Sequence, residues 1–149
     1  MRLEDEIKMK SIDNPRLKAV LEILFTSSYI NNKHLKYLKP FGLSPQQYNI
    51  LRILRGSHPK KLTIMDVKSR MLDKMPNTTR LVDKLEKCGC AERERSSKDR
   101  RKIFVGITKQ GLDVMSQMDV AHLEFMKFTE NLNEEEALEL SSLIEKLRE

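Results

Sequence analysis

RSSKDRRKIFVGITKQG, residues 95–111, changes character twice over a short length. Five of the eight residues from Arg95 to Lys102 are Lys or Arg, with the single acid Asp99 among them. From Arg100 to Ile107 the chain alternates, and Ile103, Val105 and Ile107 fall on one side at period two, which predicts a strand. Thr108 then stands where a cap is needed for a helix beginning at Lys109. Ala91 to Arg95 predicts a second strand pairing with the first, so Ser96-Ser97-Lys98-Asp99 becomes the tip of a hairpin. Most charge runs are solvated faces, with an acid such as Asp99 relieving repulsion. A tip this basic has a use when it meets something negative.

Upstream of the hairpin lie two short helices. Thr63 caps the first, which runs to about Met71 with Ile64, Val67 and Met71 inward. After a connection over Leu72 to Met75, Pro76 opens the second, whose inward residues are Leu81, Val82 and Leu85 and whose end is marked by Gly89. Two short helices joined by a tight turn are the minimal helix-turn-helix. A hairpin directly after it makes a winged helix. Before this lobe, Ser44-Pro45-Gln46-Gln47 reads as a capping box opening a helix with Tyr48, Leu51, Ile53 and Leu54 inward and Gly56 at its close.

Long helices flank the lobe. Pro15 to Leu38 carries Leu17, Leu21, Leu24, Leu35 and Leu38 at helical spacing, and Pro40-Phe41-Gly42 ends it. Lys109 to about Asn131 carries Met115, Met118, Phe125 and Met126. A last helix begins at Asn133, followed by Glu134, Glu135 and Glu136 at its positive end. The fold class is therefore mainly α with a small β-hairpin wing: a winged helix-turn-helix flanked by long terminal helices. One domain is expected over 1–149, with a winged helix-turn-helix lobe at 44–107 and helical dimerisation regions at 12–38 and 109–148. The terminal helices carry more apolar face than a small central lobe can cover, which predicts a homodimer.

Charge is sorted along the chain. Residues 1–51 hold eight basic and five acidic side chains, residues 52–102 sixteen and seven, and residues 103–149 four and ten. The central third thus carries net +9 and the last third net −6. A solvated surface needs no such sorting, whereas a face that binds a polyanion does. The chain has no phosphate loop, no nucleophile paired with a base at recognisable spacing and no metal-binding cluster, so catalysis, cofactor and metal are not expected. His34, His58 and His122 share no spacing with the cysteines. Cys88 and Cys90 flank Gly89 at the C-terminal end of a helix, the wrong end for thiolate activation, and idle thiols are the common case there, though redox sensing stays open. No apolar run approaches the ~20 residues of a membrane span. With no apolar leader at MRLEDEIKMK, a cytoplasmic protein with no membrane partner is expected.

Asp99-Arg100-Arg101-Lys102 followed by Ile103 to Ile107 and Thr108-Lys109-Gln110-Gly111 resembles the wing signature of the MarR (multiple antibiotic resistance regulator) family of transcription regulators. Thr79-Arg80-Leu81-Val82-Asp83-Lys84-Leu85-Glu86 is similar to that family's recognition helix. The likeness runs from about Leu17 to the C-terminus, with Leu72, Lys68 and Pro76 departing from the family's usual residues. The resemblance implies a homodimeric repressor on a near-palindromic operator in double-stranded DNA, with recognition helix 76–88 in the major groove and wing 95–102 in the minor groove. It implies that Arg101 inserts into the minor groove and that Asp99 orients it, with Arg95, Lys98, Arg100 and Lys102 on flanking phosphates. Asn77, Thr78, Thr79 and Arg80, in the first turn after Pro76, are residue types able to read base edges or meet a phosphate, and Lys74 suits a phosphate. Asn and Thr at a helix start also serve as backbone caps. Members of the family often bind a small phenolic or lipophilic effector, and the resemblance suggests a pocket near Tyr29, Phe41 and Tyr48. The alternative is a winged helix that meets an acidic protein surface and has no preferred DNA site.

Overall fold

The computed structural model describes residues 2–74, 77–97, 99 and 102–149. Helix α1 (Leu3–Glu6) is followed by α2 (Pro15–Leu38), α3 (Pro45–Ser57), strand β1 (Leu62–Thr63), α4 (Ile64–Arg70), α5 (Thr78–Lys87), β2 (Ala91–Arg95), β3 (Ile103–Ile107), α6 (Lys109–Met126) and α7 (Glu134–Lys146). Each longer element begins at a residue suited to begin it. Asn14 Oδ1 accepts from the amides of Arg16 and Leu17 ahead of Pro15. Ser44 and Gln47 exchange side-chain bonds as a capping box, as do Thr63 with Asp66 and Asn133 with Glu136. These bonds satisfy amides that a helix leaves orphaned at its start.

Several boundaries differ from the sequence expectation. Helix α3 runs through Gly56 to Ser57, because an isolated glycine inside a packed helix costs only ~1 kcal/mol. The long helix after the wing ends as α-helix at Met126 and tightens into a 3-10 segment, Lys127–Asn131. The hairpin is not alone: β1 pairs with β3 on the side opposite β2, giving an antiparallel sheet in the order β1-β3-β2. A two-residue strand carries no alternation to detect. The register Ala91↔Ile107 to Arg95↔Ile103 agrees with the expected pairing. Strand β3 begins at Ile103, with Lys102 outside it, and Ile103 is exposed while Val105 and Ile107 are buried. Position 103 lies opposite Arg95 at the free end of the ribbon, beyond the reach of the core.

The core sits inside the central lobe. Ile50, Leu51 and Leu54 of α3, Val67 of α4, Val82 and Leu85 of α5 and Val105 of β3 are fully buried, joined by Leu38 and by Met115 and Met118 of α6. The long helices tell a different story. Leu17, Val20 and Leu24 of α2, Val120 and Leu123 of α6, and Leu138, Leu140, Leu143 and Leu147 at the C-terminus are all exposed, and α7 has no buried residue.

Candidate nucleic-acid interface

The candidate interface is built on α5. Its N-cap is Asn77, whose Oδ1 accepts the Arg80 amide at 3.1 Å. Its end is a Schellman turn: the Cys90 amide donates to Leu85 O and the Gly89 amide to Glu86 O, both at 2.9 Å, with Gly89 at φ +74°. Val82 and Leu85 fix which side faces the core. Thr78 belongs to that inner side. It is 4% exposed, and its hydroxyl lies 3.6 Å from Met71 Sδ. The first-turn side chains presented outward are therefore Asn77, Thr79 and Arg80, and the expectation for Thr78 as a DNA-facing side chain is corrected. Further along the helix Lys84 and Lys87 are exposed with Arg80. Successive spacings of four and three residues from Arg80 to Lys84 to Lys87 mark one helical face, which the expected DNA contacts did not include.

Between α4 and α5 the chain is held from behind. The Leu72 amide donates to Asn49 Oδ1 of α3 at 3.0 Å, leaving the Leu72 side chain fully outward. Lys74 is exposed, and its ammonium donates to Ser69 O.

The wing closes through its backbone. The Ser96 amide donates to Lys102 O at 3.0 Å, the Lys102 amide to Asp99 O at 2.9 Å, and the Asp99 amide to Ser96 Oγ at 3.2 Å. Arg95 and Lys102 are exposed at the base of this turn, and Asp99 is half-buried. Lys98, Arg100 and Arg101 lie outside the described residues. The acids on the ribbon are paired: Lys61 Nζ lies 2.7 Å from Glu92 and 2.6 Å from Glu94. Hydrogen bonds to Glu92 and then Glu94 raise the lysine's pKa, so it stays charged and offsets both carboxylates.

Thr108 ties this lobe to α6. Its hydroxyl donates to Gly89 O at 2.6 Å and accepts the Gly111 amide at 3.0 Å, and its own amide donates to Cys90 O at 3.2 Å. The Gln110 side chain donates to Cys88 O at 3.0 Å. The carbonyls of Cys88, Gly89 and Cys90, which end the recognition helix, are thus all held by the start of α6. Gly111 is required by this approach, since a Cβ there would sit 2.2 Å from Cys90 O. Cys90 is buried, and burial followed by its contact with Cys88 pushes its thiol up to about 11, away from reactivity.

One further link joins the lobe to α6, and another joins the two long helices to each other. Arg55 of α3 grips Asp119 of α6 with both guanidinium nitrogens, at 2.7 and 3.0 Å, and that hydrogen bonding holds the Asp119 carboxyl below its ordinary range. Tyr37 of α2 donates its buried hydroxyl to Met118 O at 2.9 Å. Beside them lies a cavity of about 810 Å³ between α2, α3, α6 and the connector Arg70–Asp73. His34, Tyr48, His122 and Phe125 give it an aromatic wall, and Arg52 and Arg70 bring positive charge to it. Burial, and then the nearby His122, lower the pKa of His34. Tyr48 lines this space. Tyr29 instead stacks edge-on with Phe128, and Phe41 lines a separate groove with Lys33 and Lys36.

Among the described residues no three of His, Cys, Asp and Glu are grouped to hold a metal, and no helix is long and apolar enough to cross a membrane. A capped recognition helix backed by two helices and flanked by a three-stranded sheet with a basic hairpin tip defines the winged helix-turn-helix class. The MarR family model matches residues 41–102. The transcriptional regulator SarZ of Staphylococcus aureus is 31% identical over 140 residues, covering 92% of this chain and 90% of its own. AbsC of Streptomyces coelicolor, a MarR family regulator, superposes with a TM-score of 0.78 at 25% identity, covering 94% of this chain and 99% of its own. MepR of S. aureus, solved in complex with DNA, superposes with a TM-score of 0.75 at 21% identity, over 84% of this chain and 92% of its own. The chain belongs to the MarR family.

Proposed function

We propose that this chain is a sequence-specific DNA-binding transcription regulator acting as a homodimeric repressor, without catalysis, in the cytoplasm. The observation that carries the reading is the juxtaposition of an exposed α5 face, Thr79, Arg80, Lys84 and Lys87, with exposed Arg95 and Lys102 at the base of the wing. MepR, of the same fold, is bound to DNA in its crystal. The recognition segment 76–88, through its helix α5, enters the major groove, where Thr79 suits a thymine methyl and Arg80 a guanine. Asn77 lends its oxygen to the cap, which leaves its amide nitrogen to donate. Thr78 supports this turn from within. Lys74, Lys84 and Lys87 suit phosphates, and wing 95–102 reaches the neighbouring minor groove. There Arg101 inserts, Asp99 orients it, and Lys98, Arg100 and Lys102 neutralise phosphate.

The lobe of residues 44–107 is carried by segments 12–38 and 109–148. Their exposed leucines and valines form an apolar surface that a second copy covers, and two copies set two recognition helices about one helical turn of DNA apart. Bound at a promoter, such a dimer excludes RNA polymerase. The cavity beside the Arg70–Asp73 connector has the size of ordinary small-molecule sites. A small phenolic or lipophilic effector fits its aromatic wall, and it would act by favouring a lobe position unsuited to the operator.

The test is fluorescence anisotropy on a labelled duplex from upstream of the protein's own gene beside a random duplex, over a salt series. Tight binding to the first at moderate salt, with much weaker binding to the second, is the expected result. If binding to sites selected genome-wide stays no tighter than to random DNA and vanishes steeply with salt, the repressor reading fails. A winged helix that meets acidic proteins would then be the better account.

A further inference from the structure

Arg93 lies on β2 between the wing and the recognition helix, and by sequence alone it would count as one more cation for DNA. Its guanidinium is directed elsewhere. Nη1 lies 2.5 Å from Asp83 Oδ1 and 2.8 Å from Glu86 Oε2, while Nη2 donates to Thr79 O at 3.2 Å. The side chain is only 23% exposed. Thr79, Asp83 and Glu86 follow one another at spacings of four and three, so they form a single stripe along α5. That stripe runs beside the inner one of Val82 and Leu85 and beside the exposed one of Arg80, Lys84 and Lys87. One side chain of the ribbon therefore spans two turns of the recognition helix on the flank between its buried and exposed faces.

We propose that Arg93 is a positioning residue for DNA recognition, setting the rotation of α5 about its own axis and its distance from the wing. The inference rests on the DNA-binding reading above. Partly exposed ion pairs add little to stability, so the consequence of this cluster is geometric. A planar guanidinium with fixed donor directions locates three acceptors relative to one another, which an ammonium does not. The Thr79 contact is the telling one. Thr79 O belongs to the first turn of the helix, the same turn that carries Thr79 and Arg80 outward. A small rotation of α5 would move both side chains across a base pair. The cluster also keeps two carboxylates beside the basic face compensated, so they do not oppose phosphate.

The experiment compares the full-length protein with Arg93→Met, Arg93→Lys and the double variant Asp83→Asn/Glu86→Gln. Each is titrated with its selected operator duplex and with a random duplex across a salt series, after circular dichroism has established that it is folded. For Arg93→Met the operator-to-random affinity ratio is expected to fall about tenfold, a coupling of ordinary size for a contact network. The slope of log Kd against log salt should stay unchanged, whereas losing a true phosphate contact reduces it by about 1. Arg93→Lys keeps the charge and loses the fork, and should recover little of the ratio. The double variant leaves Arg93 intact and removes negative charge near DNA. It should tighten binding to the random duplex and still lower the ratio.

Arg93 is instead a phosphate contact if Arg93→Met weakens both duplexes equally with a reduced slope, or if the double variant tightens both equally with the ratio unchanged. An unaltered ratio in every variant equally overturns the proposal. Failure of the wild type to distinguish operator from random DNA would overturn the DNA-binding reading itself, and is seen before any variant is tested.

Discussion

Arg101, proposed to enter the minor groove, and His34, in the cavity wall, each carry a prediction at the scale of one side chain. An arginine inserted in a narrow minor groove gains from the concentrated negative potential there. Arg101→Ala should weaken operator binding by about 1–3 kcal/mol, roughly five- to 150-fold, while sedimentation finds the dimer intact. Unchanged affinity would remove the wing from the account. His34 stacks on Tyr37 and Phe125 and has its pKa lowered from 6.5 by burial and then by His122. A depressed histidine binds fewer protons folded than unfolded. Its contribution is therefore fully present above the unfolded pKa and is lost as pH falls through that value toward the lower folded one. Thermal stability should decline on going from pH 7.5 to about pH 5. His34→Phe, which keeps the stacking, should flatten that decline. A slope identical in the variant would assign the acid sensitivity to other groups. At this same scale the sequence was a mixed guide. Asn77, Thr79, Arg80, Arg95 and Lys102 are exposed as their types suggested, but Thr78 faces Met71. Which of two adjacent threonines points outward depends on the rotation of α5, and that rotation is set by Val82 and Leu85 in the core and by Arg93 on the flank.

Among the elements, the junction of α5, β2 and α6 is the most constrained. Three successive carbonyls, of Cys88, Gly89 and Cys90, are taken up by Thr108 and Gln110, and the chain comes so close that residue 111 has no room for a Cβ. Both near neighbours, Cys90 O at 2.2 Å where the recognition helix ends and Ile107 Cγ1 of β3 at 2.7 Å, lie in packed segments and cannot withdraw cheaply. Gly111→Ala should destabilise by about 2–3 kcal/mol. At fixed protein concentration the melting temperature should then drop by roughly 5–10 °C. A melting temperature within a degree of wild type would mean that α6 can slide away without cost. The Thr-x-x-Gly pattern was legible as a helix start. Its second task, clamping the end of the recognition helix, became visible only when two segments nineteen residues apart met. Strand β1 was missed for a related reason, because a strand of two residues exists through its partner and not through its own periodicity.

For the whole molecule, the unburied apolar face is the dominant fact. A thirteen-residue helix with no buried position, α7, has no stability of its own at that length and draws what it has from packing. If a second copy supplies that packing, Leu140→Lys/Leu143→Lys should convert the dimer to monomer in sedimentation at micromolar concentration. Operator affinity should fall by about a hundredfold or more as the two half-sites cease to be bound together. A double variant that remains dimeric would move the interface elsewhere. The same surplus of apolar residues was readable beforehand, because both long helices carried stripes too wide for a lobe of this size to cover.

By itself the sequence determined where helices begin, through Pro15, Ser44, Thr63, Thr108 and Asn133, and that a hairpin with a basic tip follows a pair of short helices. These depend on local bonds and spacing, which a chain carries wherever it goes. Only the tertiary structure decided that Thr78 is inward, that Lys61 and Arg93 serve carboxylates instead of pointing to solvent, and that a cavity opens beside the Arg70–Asp73 connector. Each of these depends on the relative placement of segments distant in sequence, because burial and charge pairing are properties of what lies opposite a side chain and not of the side chain alone.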